Sequence, residues 1–339
     1  MKRRVAHISE REAMKLPRRR HFLQLAAGAL ALPAVSRIAR AQTYPARPVR
    51  IVVTFPAGST SDILARPMAQ WLSERLGQPF VIDNRPGAGG TIGTEAVVRA
   101  SPDGYTLLLV AGAHTINATL YDKLNFNFIR DIVPVASISR ETSVMLVNPS
   151  LPAKTVPEFI AYAKANPGKI NMASAGVGAP SHVMGELFKM MAGVNLVHIA
   201  YRGSPPALTD LLGGQVQLFF ATTTASIAYI RAGTLRALAV TTATRSETLP
   251  GIPTMGEFLP GFEASQWYGV GAPKNTPPQI IDKLNKEINV GLANPKFKAL
   301  LASLGGTALP GSPADFGKLI ADETERWGNV IRAANIKAE

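Results

Sequence analysis

Short apolar runs alternate with stretches of helical spacing along most of the chain. Residues 51–55 (IVVTF) form a β-branched strand signal that Pro56, Ala57 and Gly58 interrupt. Ser59, Thr60 and Ser61 are helix-start residues, and helical spacing then continues to about residue 76. Strand signals recur at 80–83, 105–110, 132–138 and 144–147, with a helical stretch at 91–100. The apolar run at 105–110 predicts a central, parallel strand. Pro149, Pro152 and Pro157 mark a change of region. Beyond them come helices at 156–165 and 182–191, a helix opening at Ser204-Pro205, and one at 225–231. They alternate with strands at 170–173, 196–200, 216–220 and 235–240. A loop-rich stretch at 241–266 leads to a strand at 267–271 and long helices at 277–293 and 313–334.

Strand, helix, strand in repetition predicts an α/β fold with crossover helices. A second α/β unit (143–266) is bracketed by pieces of the first (43–142 and 267–339). That arrangement predicts two lobes joined by a hinge of two crossing segments, near 143–148 and 241–267, which permits closure around a ligand.

Composition narrows the chemistry. The 339 residues contain no cysteine, which removes disulfides, thiol nucleophiles and thiolate metal sites. The five histidines show no metal-ligand spacing, so neither a metal nor a cofactor is expected. Of the net charge of +13, the first 41 residues carry +8, and the remaining +5 is not gathered into a basic run with interleaved aromatics. A nucleic-acid partner is therefore not expected. The basic start instead reads as an export signal. Arg18, Arg19 and Arg20 precede a short apolar run, and Ala39-Arg40-Ala41 has the small residues of a cleavage site. Arg19-Arg20-x-Phe22-Leu23 has the twin-arginine form. Cleavage is expected near Ala41-Gln42, and the location is periplasmic.

The candidate chemistry lies in two loops that each run from a strand into a helix. Such a loop leaves backbone N–H groups without internal partners at the positive end of a helix dipole, which suits an anion. The first comprises Pro56, Ala57, Gly58 and Ser59, with Asp62 open between bracing the helix start and meeting the ligand. The second contains Ser174, Ala175, Gly176, Gly178, Ser181 and His182. There Pro180 fits the first helical position, and Ala179 has no side chain with which to cap. Tyr201, Arg202 and Gly203 open the next helix. Arg202 either pairs with a distal carboxylate or stands solvated. Thr222 follows a strand and is a candidate for the cleft wall. The glycine run at 87–93 is spaced GxGGxxG, unlike a dinucleotide fingerprint, and reads as a turn with helix packing.

The ordered set of motifs resembles the extracytoplasmic solute receptors of tripartite tricarboxylate transporters, the Bug family. It includes Tyr44-Pro45-x-Arg47-Pro48, Phe55-Pro56-x-Gly58, Asn84-Arg85-Pro86-Gly87-Ala88-Gly89-Gly90, Pro102-Asp103-Gly104-Tyr105-Thr106-Leu107 and Asp210-Leu211-Leu212-Gly213-Gly214-Gln215-Val216. The resemblance implies a two-lobed periplasmic binding protein of the type 2 fold. It implies a small organic carboxylate held between the two loops by backbone N–H groups and bridging waters, with membrane transporter subunits as partners and a monomeric receptor. A sensor for a two-component system has the same fold and ligand chemistry. An exported hydrolase would need a Ser/His/acid set, which the sequence does not offer.

Overall fold

The computed structural model describes residues 44–121 and 123–338. The export signal read at 1–41 lies outside the described residues. In chain order the elements are β1 (Val49–Val53), α1 (Thr60–Leu76), β2 (Phe80–Asn84), α2 (Thr91–Val98), β3 (Thr106–Ala111), α3 (Gly112–Leu120), α4 (Phe128–Asp131), β4 (Ile132–Val147), α5 (Val156–Ala165), β5 (Asn171–Ser174), α6 (Pro180–Ala192), β6 (Val197–Ala200), α7 (Ser204–Leu212), β7 (Leu218–Thr222), α8 (Thr223–Arg231), β8 (Arg236–Val240), β9 (Ser265–Pro273), α9 (Pro278–Ala293), α10 (Pro295–Ser303), β10 (Gly306–Ala308) and α11 (Pro313–Ala333).

The strands form two sheets that share β4. In the first, β2, β1 and β3 are parallel, β9 runs antiparallel between β3 and β4, and β10 pairs with β4. In the second, β6, β5 and β7 are parallel, and β4 lies antiparallel to both β7 and β8. The strand at 105–110 is therefore parallel on one side only. Buried faces of α1, α9 and α10 cover one side of the first sheet. Val97 of α2 with Phe316 and Ile320 of α11 cover the other. In the second sheet Phe159, Val183 and Phe188 of α5 and α6 pack on one face, and Leu208, Leu211 and Ile227 of α7 and α8 on the other. Further along, α11 places Trp327 and Ile331 in the core of the second sheet, so one helix serves both.

The strands read at 132–138 and 144–147 are one continuous strand of 16 residues. The intervening SRETS looks like a loop because it is polar, yet Ser139, Glu141 and Ser143 are fully buried. The strand changes partners between Thr142, opposite Ser265 of β9, and Ser143, opposite Thr222 of β7. The chain returns beside this point: Thr241 N–H donates to the Ser143 carbonyl at 2.9 Å, and Ala264 N–H to the Thr241 carbonyl at 2.8 Å. Two extended segments thus cross side by side where the sheets meet. The helices α3, α4 and α10 and the strand β10 have no counterpart in the sequence reading.

Candidate functional site

Both loops end in helices that lack a strong side-chain cap. Gly58 adopts φ +77°, which turns the first loop into α1. Its N–H donates to Asp62 Oδ2 at 3.0 Å, and Ser59 N–H donates to the Pro56 carbonyl at 3.1 Å. Pro56 has no N–H. The donors expected of Pro56, Gly58 and Ser59 are therefore absent or engaged within the loop. Thr60 and Ser61, the first two residues of α1, have N–H groups that take no hydrogen bond among the described residues. Of the donors the sequence reading names in this loop, the Ala57 N–H alone takes no hydrogen bond among the described residues, and those of Thr60 and Ser61 join it.

Asp62 is buried and fully engaged. Besides Gly58, it accepts from Arg66 Nε at 3.0 Å and Nη2 at 2.8 Å, and from Asn84 Nδ2 at 3.1 Å. Burial raises its pKa, but the bonds from Arg66, Gly58 and Asn84 outweigh that and hold it below the usual carboxylate range. Asp62 braces the loop.

The second loop has neutral braces. Ala175 N–H donates to Ser181 Oγ at 3.0 Å, Gly176 N–H to Ser174 Oγ at 3.2 Å, and Gly178 N–H to His182 Nδ1 at 3.3 Å. Ser174 Oγ also lies 2.6 Å from His198 Nε2. The rings of His182 and His198 stack with centroids 3.9 Å apart and planes 12° from parallel. Burial pushes both imidazoles down to about 4, so the pair is neutral near pH 7. No side chain caps α6 at Ala179, in keeping with the sequence reading, and Ser181 N–H has no partner among the described residues.

These loops face one cavity. Its walls include Phe55, Ser59, Thr60 and Ser61 from one side, Ala175, Ala179, Pro180, Ser181, Ser204, Phe220 and Thr222 from the other, and Ala111, Gln266 and Tyr268 at the base. The N-termini of α1, α3, α6, α7 and α8 all reach it, and no residue lining it carries a charge. Thr60 Oγ1 and Thr222 Oγ1 are 2.5 Å apart and join the two sides. Tyr268 donates from its hydroxyl to Gln266 Oε1 at 3.1 Å, and Gln266 Nε2 donates to Ser143 Oγ at 3.2 Å, which ties the base to the crossing strand.

A second, outer chamber of about 580 Å³ lies beside it, between Pro56 and Pro86–Gly90 on one wall and Ala175, Gly176, Tyr201, Arg202 and Gly203 on the other. Tyr201 donates its hydroxyl to Asp210 at 2.6 Å, and burial followed by Asp210 pushes its pKa up to about 12. Gly203, at φ +114°, caps α7, and Ser204 is the first helical residue rather than the cap. A side chain at Gly203 would overlap the Pro56 ring across the chambers.

Of the expected site residues, Ser59, Ala175, Ser181 and Thr222 line the inner cavity. Pro56, Gly176, Tyr201, Arg202 and Gly203 line the outer chamber. Ala57, Gly58, Asp62, Ser174, Gly178 and His182 line neither and shape the loops. The sequence reading missed Thr60, Ser61, Ser204, Gln266 and Tyr268. Gln266 and Tyr268 carry one usable signal, alternation on a strand beside the predicted hinge.

The family described as "Tripartite tricarboxylate transporter family receptor" matches residues 64–336. The chain is 40% identical over 300 residues to Protein BugT of Bordetella pertussis, covering 88% of this chain and 92% of that one. Among solved structures it is similar to R. palustris Rpa4515 with adipate, at 38% identity and a TM-score of 0.85, covering 87% of this chain and 99% of that one. It is similar also to MatC (Rpa3494) from Rhodopseudomonas palustris with bound malate, at 31% identity and a TM-score of 0.82, covering 85% of this chain and all of that one. The two-lobed periplasmic binding fold, the chain of motifs and these matches agree: this chain belongs to the tripartite tricarboxylate transporter receptor (Bug) family of solute-binding proteins.

Proposed function

We propose that the protein is a periplasmic receptor that captures a small organic dicarboxylate, with one carboxylate in the inner cavity and the other in the outer chamber, and delivers it to a tripartite tricarboxylate-type membrane transporter. The observation that carries this reading is the convergence of five helix N-termini on a cavity without a charged side chain. Helix ends and unpaired amides favour negative charge, and they do so without a counter-ion that would grip the ligand too firmly to release. One carboxylate accepts from the Thr60 and Ser61 amides on one side and the Ser181 amide on the other. The distal carboxylate extends into the outer chamber toward Arg202, which is exposed and carries no ion pair among the described residues. Relatives with bound adipate and malate support this ligand class.

Closure brings the two loops together, with 43–142 and 267–339 as one lobe and 143–266 as the other. The change of partners along β4 and the neighbouring return segment support those boundaries. Capture and release involve no bond-making, and the receptor acts as a monomer after export and cleavage near Ala41-Gln42. A thermal-shift screen tests the reading. Adipate, malate and related dicarboxylates raise Tm, because a ligand that binds only the native state stabilises it. Their diamides do not. A rise with the diamides, or with none of the acids, contradicts the reading.

A further inference from the structure

Glu141 is fully buried on β4, one residue before the strand changes sheets. No Lys, Arg or His pairs with it among the described residues. Four elements enclose it. Gln266 and Tyr268 belong to β9, and Gly306 of β10 sits opposite, where a side chain would overlap the carboxyl group. Thr224 comes from the first turn of α8, and the Leu304 carbonyl from the end of α10. The titratable neighbour is Tyr268, whose phenol is raised by burial and then by Glu141.

Hydrogen-bond counting favours a neutral acid. Thr224 Oγ1 lies 2.5 Å from Glu141 Oε2 and 3.1 Å from the Leu304 carbonyl oxygen. The hydroxyl has one proton and the carbonyl can only accept. If Thr224 donates to Leu304, the remaining proton on the Glu141–Thr224 line must come from Glu141. A neutral acid therefore satisfies both bonds: Glu141 O–H donates to Thr224 Oγ1, which donates to the Leu304 carbonyl. An ionised Glu141 forces Thr224 to choose, and leaves a buried charge without a cation. Its other oxygen, Oε1, already lacks a partner among the described residues.

We propose that Glu141 is a proton-carrying strut of the closed receptor: as a neutral acid it links β4 at the hinge to α8 on one side and α10 on the other, and its ionisation loosens closure and weakens ligand capture. The consequence for ligand rests on the receptor reading; the strut itself does not. Burial raises the Glu141 carboxyl to about 7, against the smaller opposing pull of the Thr224 hydroxyl and of Ser139, whose Oγ lies nearby on the same strand but makes no hydrogen bond among the described residues. The sign follows from linkage. A carboxyl whose pKa is raised in the folded form stabilises that form fully below its ordinary pKa near 4.5, and the contribution is gone above about 7. Capture shares this proton linkage because opening parts Thr224 of α8 from Glu141 of β4, and affinity then falls by at most about tenfold per pH unit within that window.

The test compares the wild type with Glu141→Gln, whose amide N–H₂ takes the place of the acid O–H toward Thr224. An infrared titration of the purified protein should show a protonated-carboxyl band that persists at pH 6, disappears with a midpoint near 7, and is missing from Glu141→Gln. In thermal unfolding the wild type should lose stability relative to the variant between pH 4.5 and 7 and then run parallel to it. Adipate and malate titrations should weaken over the same window in the wild type and stay flat in Glu141→Gln. A protein with no such band at pH 6, or identical pH profiles for both proteins, overturns the strut. If neither acid binds either protein, the coupling to capture and the dicarboxylate reading fail, while the infrared and thermal profiles still decide the strut.

Discussion

The two loops that meet at the cavity present the same backbone groups but are held by different chemistry. The first, at α1, is braced by an ionised carboxylate: Asp62 gathers the Gly58 amide, Arg66 and Asn84. The second, at α6, is braced by neutral hydroxyls and a stacked histidine pair. The difference teaches that an anion seat does not specify its supports. Either kind of brace frees the N–H groups at a helix start, but the two fail under different conditions. A charged brace is sensitive to loss of its carboxylate. A histidine brace is sensitive to acid.

The largest effect should come from forcing the two seats apart. Gly203→Ala places a methyl group against Pro56 across the chambers, at φ +114°. Adipate affinity should fall about 100-fold, or ~2.8 kcal/mol, in calorimetry. Unchanged affinity would show that the two sides do not close on the ligand as described. Next comes Asp62→Ala, which leaves the Gly58 amide without its acceptor and Asn84 with the Phe55 carbonyl alone. It should cost about 2–3 kcal/mol in denaturant unfolding. A cost below about 0.5 kcal/mol would remove the brace assignment.

His198→Phe keeps an aromatic ring against His182 but loses the bond to Ser174. A cost of about 1 kcal/mol is expected, smaller than at Asp62 because both lost partners are neutral. The same variant isolates the response to acid. A histidine whose folded pKa is depressed contributes stability that is present above its ordinary 6.5 and lost as pH falls through about 4. The difference in Tm between wild type and His198→Phe should therefore shrink from pH 6.5 to 4, a window in which Asp62 remains ionised. A constant difference would mean that the pair does not titrate as a brace. The smallest effect belongs to Arg66→Ala. The guanidinium is half exposed, so its pairing with Asp62 should contribute under 1 kcal/mol and decline with salt.

The sequence made the two strand–loop–helix turns legible and hid much of what surrounds them. Strand, small-residue loop and helix start are local signals, and they located both loops and the missing cap at Ala179. The supports come from far along the chain: Asn84 reaches Asp62, and His198 reaches Ser174, through pairings that only the sheet order creates. Which amides stay unpaired is not a local signal: Gly58 and Ser59 close their own loop, and those of Ala57, Thr60 and Ser61 are left open. The crossing strand looks like two because buried Ser139, Glu141 and Ser143 mimic a turn. The polarity of Glu141 and Ser143 belongs to the junction of the sheets, where Thr224, Gln266 and Thr241 supply partners, while Ser139 Oγ has none among the described residues.

A crystal structure with adipate tests the central claim most directly. One carboxylate should accept hydrogen bonds from the Thr60 or Ser61 amide and from the Ser181 amide, with no cationic side chain in contact with it. A structure in which both carboxylates sit in the outer chamber, or pair with Arg202 while those amides face no ligand, would contradict the account.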